Sequence, residues 1–502
     1  GDKVAILSAN MPNWGITQFA IANIGAIAVP VLPGFCSTEL QNILEHAEVK
    51  VIFVSRLLAK CLEGVKTPFL EHKILINNFS TIPEGCYQPE ELDKLVPDIS
   101  LNNTTPLPEV SIEEEDIASI IYTSGTTGFS KGVVLTHKNL VWDARQCHTI
   151  QPVDETYRFL SILPMAHTYE NTLGLLLPLM FGAQVYYLDR VPTPKLLVPA
   201  MQKIRPTVVL SVPLIIEKIY KSQVLPKFTS SKLMSKLYQF APARKLFNRL
   251  AGKKLMETFG GELKFFGIGG SKLDGTVEQF LREAKFPYAI GYGLTETAPM
   301  AAGSNPSQTF LQGVGPVMEG VQIKINDPDK SGQGEIWIKG PNVMKGYYKR
   351  PELTAETFTE DGWFKTGDLG SFDKKNRLAI RGRIKTMILG ASGENIYPEE
   401  IESIINNFRF VNESLVVENS GKLVAMVHFN MEELEKQYQK LKDQAGNYKE
   451  KINDYIEEQK QELRDYVNAR VNNFSKLQLV LVQHEPFEKT PTHKIKRFLY
   501  CK

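Results

Sequence analysis

The first 110 residues alternate short apolar runs with segments of helical periodicity. Apolar runs at residues 4–7, 28–31 and 51–54 predict buried strands, and helical patterns at residues 14–25 and 37–47 separate them. Strands joined in this way run parallel, and the connections between them are right-handed. The alternation therefore predicts an α/β fold built on a largely parallel sheet.

The length of the chain requires more than one core. At 502 residues it exceeds the size at which a single hydrophobic core stops growing. Apolar runs at 335–338 and 377–380 predict a β-rich antiparallel part with turns at Ser331-Gly332 and Lys374-Lys-Asn376, and Gly382-Arg383-Ile384-Lys385 marks a boundary. We expect an α/β multidomain protein: a large N-terminal domain of α/β subdomains plus a β-rich subdomain over 1–382, and a small α+β C-terminal domain over 383–502. The C-terminal domain is expected to carry a helical insert at 431–477, with a break at Gly446-Asn447.

Composition excludes several classes of function. The formal net charge of +2 shows no global basic bias toward nucleic acid. Five scattered cysteines without a C-x-x-C pair fit a reducing compartment and disfavour disulfides or structural zinc. The apolar segment 172–188 contains Gly and Pro and predicts a buried core segment rather than a membrane span. The start at Gly1, without methionine or signal peptide, indicates either a fragment or trimmed numbering. We expect a cytoplasmic protein, and peripheral membrane contact stays open.

One loop combines the features of a phosphate-binding site. Residues 123–130 hold five hydroxyls and two glycines, Lys131 follows, and apolar runs at 117–122 and 133–135 flank the loop as predicted strands. Glycines let backbone N–H groups approach a polyphosphate, hydroxyls add donors, and the lysine adds charge. The spacing is not that of a Walker loop. Beyond the second strand, residues 136–140 predict a helix start with Thr136 as its N-cap. The alternative is a flexible Ser/Gly linker.

Four further side chains are candidates for chemistry, each with a plainer alternative. Glu296 follows a Gly-Tyr-Gly turn and suits Mg²⁺ or a helix cap. Asp368, predicted on a tight turn at 366–370, suits ribose hydroxyls or turn closure. Lys494 lies in a basic run that also resembles a solvated tail. His167 has no second histidine at zinc-ligand spacing, so it is a core or pocket-lining residue.

Together these stretches resemble the adenylate-forming superfamily, which includes acyl-CoA synthetases, firefly luciferase and peptide-synthetase adenylation domains. The resemblance covers nearly the whole chain and rests on five motifs in the family's order: the stretch 122–132, Gly291-Tyr-Gly-Leu-Thr-Glu296, Thr366-Gly-Asp368, Gly382-Arg-Ile-Lys385 and the stretch 490–497. Pro164-Met-Ala-His-Thr-Tyr-Glu170 and His493, where the family usually has glycine, are similar to the long-chain fatty-acid branch.

The resemblance implies a role for each position. The β- and γ-phosphates of ATP would be held by Thr123, Ser124, Gly125, Thr126, Thr127, Gly128 and Lys131. Thr295 would contact the α-phosphate, and Thr123 and Glu296 would hold Mg²⁺. The nucleoside would be held by Gly269, Gly270, Ser271, Tyr292, Gly293, Asp368 and Arg383. Lys494 would be catalytic, Lys385 would be the hinge of a mobile C-terminal domain, and His167 would stand near the acyl channel.

The implied reaction has two halves. A fatty acid and ATP give acyl-AMP and pyrophosphate, and the thiol of coenzyme A then displaces AMP after the C-terminal domain rotates. Two alternatives stay open from the sequence: an acyl-AMP ligase that delivers to a carrier-protein thiol, and a non-catalytic relative that only binds fatty acid and nucleotide.

Overall fold

The computed structural model describes the chain apart from residues 36, 98–105, 107–108, 124–129, 191, 230, 390–394, 420, 442–447, 492–493 and 502. It divides into two compact units. The first unit comprises Gly1–Lys324, Trp337–Thr366 and Phe372–Ala379, and the second comprises Ile325–Ile336, Gly367–Ser371 and Ile380–Lys502.

An eight-stranded sheet in the first unit confirms the parallel α/β prediction. The four strands Lys3–Leu7, Ile27–Val31, Val49–Val54 and His72–Leu75 are mutually parallel, and Ile117–Thr123 is parallel to Ile27–Val31. In spatial order the strands are Gly346–Tyr347, Lys131–Thr136, Ile117–Thr123, Ile27–Val31, Lys3–Leu7, Val49–Val54, His72–Leu75 and Ser80–Thr81. The predicted helices occupy Pro12–Asn23 and Ser37–His46, and two short helical segments follow at Ala59–Leu62 and Pro89–Leu92.

A six-stranded sheet forms the second half of this unit. It is parallel except at one edge, where Met300–Gly303 runs antiparallel to Tyr288–Gly293. Its spatial order is Met300–Gly303, Tyr288–Gly293, Phe265–Ile268, Val208–Ser211, Arg158–Ser161 and Gln184–Tyr187. The helical segments of this half are His137–Ile150, Thr168–Glu170, Asn171–Leu176, Leu177–Met180, Pro194–Ile204, Pro213–Ile219, Tyr220–Val224, Leu225–Thr229, Lys232–Gln239, Ala241–Thr258, Gly275–Glu283 and Thr295–Thr297.

One local prediction in this unit is confirmed and another is confirmed in part. The Thr136 hydroxyl accepts a hydrogen bond from the Asn139 backbone N–H at 3.1 Å, so Thr136 is the predicted helix N-cap. Residues 172–178 are buried, as predicted for the apolar segment 172–188, but the prediction is wrong for the rest of the segment, where Leu179, Met180 and Tyr186 are exposed. Within the described ranges, no helix is both long enough and apolar enough to cross a membrane.

Four strands follow at Gln322–Asn326, Gly334–Lys339, Phe364–Phe372 and Leu378–Arg383, with a helix at Pro351–Thr357. The predicted turns between them are present. Asp329 N–H donates to the Gln333 carbonyl at 2.8 Å, and Asp373 N–H donates to the Arg377 carbonyl at 3.0 Å. Gly332 and Asn376 adopt positive φ angles of 77° and 56°, which glycine and asparagine tolerate best.

The C-terminal part of the second unit has an α+β core. Strand Lys422–Phe429 pairs antiparallel with Val411–Asn419 and parallel with Leu479–Val482. Residues Ile401, Ile405, Val427, Phe429 and Leu463 are buried between this sheet and its helices. The remaining elements are Ile384–Thr386, Ile388–Leu389, Asn395–Ile396, Pro398–Asn406, Met431–Leu441, Tyr448–Asn468, Asn473–Ser475 and Arg497–Leu499.

The helix predicted to continue to residue 477 ends at Asn468. The Asn468 side chain donates to the Leu477 carbonyl at 3.0 Å and accepts from the Leu477 N–H at 2.8 Å. These two hydrogen bonds turn the chain back toward strand Leu479–Val482. The helix is therefore shorter than its periodicity predicted. The predicted break at Gly446-Asn447 lies outside the described residues.

The Phe266 side chain should be a main support of the six-stranded sheet. It is fully buried and packs edge to face on Phe259 and Phe286, with ring centroids 5.5 and 5.4 Å away. Phe266→Ala should lower the free energy of unfolding by about 3–5 kcal/mol, because it removes apolar contact and leaves a cavity. Urea titration should show this loss, whereas Phe69→Ala, at a 38% exposed position, should change stability by less than about 1 kcal/mol.

Candidate active site

The predicted site residues belong to both units. The first unit holds Thr123, Lys131, His167, Gly269, Gly270, Ser271, Tyr292, Gly293, Thr295 and Glu296, and the second holds Asp368, Arg383, Lys385 and Lys494. Ser124, Gly125, Thr126, Thr127 and Gly128 lie outside the described residues.

The candidate phosphate loop joins two paired strands, as predicted. Strands Ile117–Thr123 and Lys131–Thr136 run antiparallel, and Thr123 lies opposite Lys131 at their ends. Ile120 and Val133 are fully buried within the pair. The hairpin thus anchors the Thr123 hydroxyl and the Lys131 side chain at the two ends of the loop.

Tyr347 connects Lys131 with Glu296. The Lys131 ammonium lies 5.0 Å from the centroid of the Tyr347 ring, within cation–π range. The Tyr347 hydroxyl donates to Glu296 Oε1 at 2.9 Å. Burial raises the pKa of Tyr347 well above its usual value, and the Glu296 charge adds to this, so the hydroxyl remains a donor at neutral pH.

Backbone pairing explains how Tyr347 reaches this position. Tyr347 lies opposite Val133 in the strand pair that Gly346–Tyr347 forms with Lys131–Thr136. Two residues before this strand, Met344 N–H donates to the Glu296 carbonyl at 2.9 Å. No sequence pattern marks Tyr347, because a two-residue strand is too short to produce a periodic signal.

Glu296 is not the capping residue of its own turn. It follows strand Tyr288–Gly293 in the helical turn Thr295–Thr297. The Leu294 N–H donates to the Thr297 hydroxyl at 2.9 Å, so Thr297 performs the capping. Gly293 is required just before the turn, since a Cβ there would lie 1.7 Å from the Pro299 carbonyl oxygen. The alternative interpretation of Glu296 as a helix cap is therefore wrong, and its side chain is directed to Tyr347.

The glycines predicted to flank adenine follow strand Phe265–Ile268. Gly269 N–H donates to the Ser211 carbonyl at 3.1 Å, and Gly270 has a φ of +88°. A Cβ at Gly269 would lie 3.3 Å from the Tyr169 ring, and one at Gly267 would lie 2.8 Å from the Tyr169 hydroxyl. The glycines thus permit a close approach of Tyr169 to the end of the strand. Nearby, Tyr292 is buried in strand Tyr288–Gly293, and Ser271 is exposed.

His167 orients Tyr169 from within the chain. Its Nδ1 accepts a hydrogen bond from the Tyr169 backbone N–H at 3.2 Å, which makes His167 the N-cap of the helical turn Thr168–Glu170. His167 is half-buried, in agreement with the expected core or pocket-lining position. No local sequence pattern predicts this role for Tyr169, because its contact with Gly267 and Gly269 joins segments distant in the chain.

Glu170 is a buried carboxyl group beside Tyr169. Burial raises its pKa to about 8, so the neutral acid predominates at neutral pH. Its Oε2 has no hydrogen-bond partner among the described residues. A Cβ at Gly174 would lie 2.6 Å from Glu170 Oε1, so the glycine makes room for the carboxyl group.

In the second unit the structure brings Asp368 and Arg383 together. Arg383 Nε lies 2.8 Å from Asp368 Oδ1, and the Asp368 side chain is only 6% exposed. The tight turn predicted at 366–370 is wrong, because these residues lie in strand Phe364–Phe372. The positive φ of Gly367 (70°) bends the strand, and Gly367 N–H donates to Glu335 Oε1 at 3.0 Å.

Lys494 belongs to an ordered turn. Thr490 N–H donates to the Lys494 carbonyl at 2.7 Å, and Lys494 N–H donates to the Thr490 hydroxyl at 3.2 Å. The Lys494 side chain is exposed. Its exposure agrees with the alternative of a solvated basic run, and the two hydrogen bonds with Thr490 hold its backbone. The predicted hinge residue Lys385 lies in the helical turn Ile384–Thr386.

Comparisons with known proteins agree with this fold. Residues 1–348 match the model of the AMP-binding enzyme family. The chain is 26% identical to fatty acyl-CoA synthetase A of Dictyostelium discoideum, over 99% of the chain and 80% of the relative. It is 29% identical to the peroxisomal long chain acyl-CoA synthetase 6 of Arabidopsis thaliana, over 99% of the chain and 76% of the relative.

Solved structures show the same architecture. ATP-bound MatB from Rhodopseudomonas palustris superposes with a TM-score of 0.74 at 21% identity, over 100% of this chain and 88% of that one. The o-succinylbenzoate coenzyme A synthetase MenE from Bacillus subtilis, in complex with ATP and magnesium, has a TM-score of 0.73 at 22% identity, over 99% and 89%. The predicted α/β multidomain fold is thereby confirmed.

The raised pKa of Glu170 predicts a pH-dependent stability. In the unfolded chain a glutamate titrates near 4.5, whereas in the folded protein Glu170 holds its proton until about 8. The contribution of Glu170 to the free energy of unfolding is complete below pH 4.5 and is lost as the pH rises to about 8. Stability measured by urea titration should therefore fall with pH by about 1.4 kcal/mol per unit relative to Glu170→Gln. The exposed Glu360→Gln should give no such difference, and equal profiles for wild type and Glu170→Gln would contradict the assignment.

Proposed function

Because this chain belongs to the AMP-binding enzyme family, we propose that it activates a long-chain fatty acid with ATP and transfers the acyl group to coenzyme A. The proposal rests on the contacts of Tyr347 at the ends of two strands. Its ring lies beside the Lys131 ammonium, and its hydroxyl donates a hydrogen bond to the Glu296 carboxylate. The names of the relatives from Dictyostelium and Arabidopsis support a fatty acid and coenzyme A as the substrates.

Charge neutralisation is the first requirement of the reaction. A carboxylate must approach a triphosphate, and both are anions. Lys131 would attract the β- and γ-phosphates, and the hydroxyl of Thr123 lies opposite it in the strand pair. In the second unit, the Asp368 carboxylate, oriented by Arg383, would accept hydrogen bonds from the ribose hydroxyls.

The donor set fits Mg²⁺. The Glu296 carboxylate alone would repel a phosphate. A divalent cation bound between the two anions would turn this repulsion into attraction. Mg²⁺ prefers oxygen ligands and is commonly held by one or two carboxylates together with substrate phosphates. Among the described residues no cluster of three or more acidic, histidine or cysteine side chains could hold a metal alone. Glu296 and Thr123 would hold the ion, which would neutralise phosphate charge when bound.

The proposed chemistry proceeds in two displacements. The acid's carboxylate oxygen forms a bond to the α-phosphorus while the bond from that phosphorus to pyrophosphate breaks. The sulfur of coenzyme A then bonds to the acyl carbon while the bond to AMP breaks, and the thiol proton leaves to solvent. Lys494, a cation on an ordered turn, would stabilise the negative charge that develops in the first displacement.

The acyl chain would occupy the apolar surroundings of Tyr169. Leu173, Leu175, Leu176 and Leu177 follow in a buried helical segment. The only carboxyl group in this stretch, Glu170, is kept neutral by burial. An uncharged, buried wall suits a hydrocarbon chain, and His167 would orient Tyr169 at its entrance.

Fatty-acid-dependent exchange of pyrophosphate into ATP tests the first half-reaction. Lys494→Ala should lower this exchange by about a hundredfold or more, because it removes the charge that stabilises the transition state. Thioester formation from supplied acyl-AMP and coenzyme A should persist. The exposed Lys422→Ala of the same unit is the matched control and should leave both reactions unchanged.

Three outcomes would overturn parts of the proposal. Equal loss of both half-reactions in Lys494→Ala would refute its assigned role. Absence of exchange with every acid, from acetate to long-chain fatty acids, would indicate a protein that only binds. Exchange without release of AMP by coenzyme A would indicate a carrier-protein acceptor.

Tyr347→Phe tests the link between Lys131 and Glu296. The substitution keeps the ring beside the Lys131 ammonium but removes the hydrogen bond to Glu296. The KM for magnesium-ATP should rise about tenfold, equivalent to about 1.4 kcal/mol for a hydrogen bond to a charged group, and the KM for the fatty acid should stay constant. Tyr348→Phe at the neighbouring position is the control, and an unchanged KM for magnesium-ATP in Tyr347→Phe would count against the site.

A further inference from the structure

Residues 295–300, called here the Glu296 turn, connect two strands of the six-stranded sheet. They follow strand Tyr288–Gly293 and end on Met300–Gly303, its antiparallel neighbour. Ala298 in this turn has a φ of 63°, a left-handed conformation that is unfavourable for a residue with a Cβ. Contacts with other segments are therefore needed to hold the turn in this shape.

Asn342 spans the second half of the Glu296 turn. Its side-chain amide donates to the Met300 carbonyl at 2.6 Å and to the Thr297 carbonyl at 3.1 Å. Asn342 is fully buried, so bulk water does not compete for these two hydrogen bonds. One planar amide group thereby fixes the distance between two carbonyls that are three residues apart in the chain.

Asp143 bonds the same end of the turn. Its Oδ2 accepts a hydrogen bond from the Met300 N–H at 3.3 Å. Asp143 lies in helix His137–Ile150 and is fully buried. The Thr172 hydroxyl adds a hydrogen bond to the Ala298 carbonyl at 2.9 Å. Both backbone polar groups of Met300 are therefore bonded to buried side chains from distant parts of the first unit.

Asn342 and Asp143 each keep one oxygen atom without a partner. Asn342 Oδ1 and Asp143 Oδ1 are buried, and neither has a hydrogen-bond partner among the described residues. An unpaired buried polar atom costs stability, and an apolar side chain of the same size would avoid that cost. These two polar side chains are therefore better explained by the position that they give to the turn than by stability.

Asn139 holds the segment that presents Asn342. The Asn139 side-chain amide donates to the carbonyls of Pro341 and Val343, at 2.7 and 3.1 Å. These two residues flank Asn342, so the backbone that carries its side chain is fixed on both sides. Asn139 and Asp143 are four residues apart in one helix and share a face. One helix face thus holds both the Glu296 turn and the segment that bonds to it.

We propose that Asn342 and Asp143 are positioning residues that orient the Glu296 carboxylate toward Mg²⁺. They act through Met300, four residues beyond Glu296, whose backbone they hold on both sides. This role rests on the proposed function, in which Glu296 binds the ion together with Thr123. Mg²⁺ demands a near-octahedral set of oxygen ligands, so a small displacement of the turn weakens its binding. Replacing a side chain that orients a metal ligand typically lowers metal affinity about tenfold to hundredfold.

Titration calorimetry of ATP into the whole chain separates this role from catalysis. The dissociation constant is measured with Mg²⁺ and again in EDTA, and the ratio of the two values gives the contribution of the metal. Asn342→Leu keeps the approximate size of the side chain but removes both hydrogen bonds to the turn. It should weaken the binding of magnesium-ATP about tenfold or more, and it should change the binding of ATP in EDTA less than about twofold.

Asp143 allows a conservative rescue. Asp143→Asn retains an oxygen that accepts from the Met300 N–H, whereas Asp143→Leu has none. Asp143→Leu should therefore weaken the binding of magnesium-ATP about tenfold, and Asp143→Asn should restore it to within about threefold of the wild-type value. A purely structural role would instead lower the affinity for ATP equally with and without Mg²⁺.

A double variant tests whether Asn342 acts through Glu296. Glu296→Gln alone should remove most of the metal-dependent affinity, because the amide carries no charge. Adding Asn342→Leu should then weaken the binding of magnesium-ATP by less than about twofold, because the ligand that Asn342 orients is already lost. Two independent effects would multiply, and that result would contradict the assigned role.

Asn13→Leu is the matched control. The Asn13 amide also donates to two backbone carbonyls, those of Ile76 and Asn77, at 2.7 and 3.1 Å. Asn13 lies in helix Pro12–Asn23, so this variant should lose stability to urea with no change in the affinity for magnesium-ATP. An equal loss of ATP affinity in Asn342→Leu with and without Mg²⁺ would overturn the inference alone. If Mg²⁺ adds nothing to ATP affinity in the wild type, the proposed metal site is wrong, and the inference falls with it.

Discussion

The pairing of the two-residue strand Gly346–Tyr347 with Lys131–Thr136 is the contact on which the candidate site depends. Tyr348 N–H donates to the Gly132 carbonyl at 2.8 Å on one side, and Met344 N–H donates to the Glu296 carbonyl at 2.9 Å on the other. This short segment thereby ties the edge of the eight-stranded sheet to the turn that follows the six-stranded sheet. Tyr347, which this segment places, contacts both the Lys131 ammonium and the Glu296 carboxylate.

Burial then determines which groups carry charge. Tyr347 keeps its proton because burial and the adjacent Glu296 raise its pKa, so it can serve as a donor between a cation and an anion. Glu170 keeps its proton because burial alone raises its pKa. Asp368 has a cationic partner instead, since Arg383 Nε lies 2.8 Å from its Oδ1. Burial and neighbouring groups thus decide what each side chain can contribute to the site.

Local patterns predicted much of the fold, because strands and helices follow from side-chain periodicity and from the backbone preferences of glycine, proline and caps. The parallel strands of the first sheet, the Thr136 cap and the turn at Gly332 are confirmed in this way. The errors occurred where a distant segment overrides a local signal. The Asn468 side chain ends a helix by bonding Leu477, and Asp368 lies in a strand although Thr366-Gly-Asp368 has the composition of a turn.

By itself the sequence determined the fold class, the hydroxyl-rich loop between two strands and the set of polar residues proposed to act on a nucleotide. Each of these is a property of residues adjacent in the chain. Only the tertiary structure decided that Tyr347 bonds to Glu296, that Arg383 pairs with Asp368 and that Tyr169 lies against Gly269. These contacts arise from strand pairing and close backbone approach between distant segments, and periodicity holds no information about which distant residues meet.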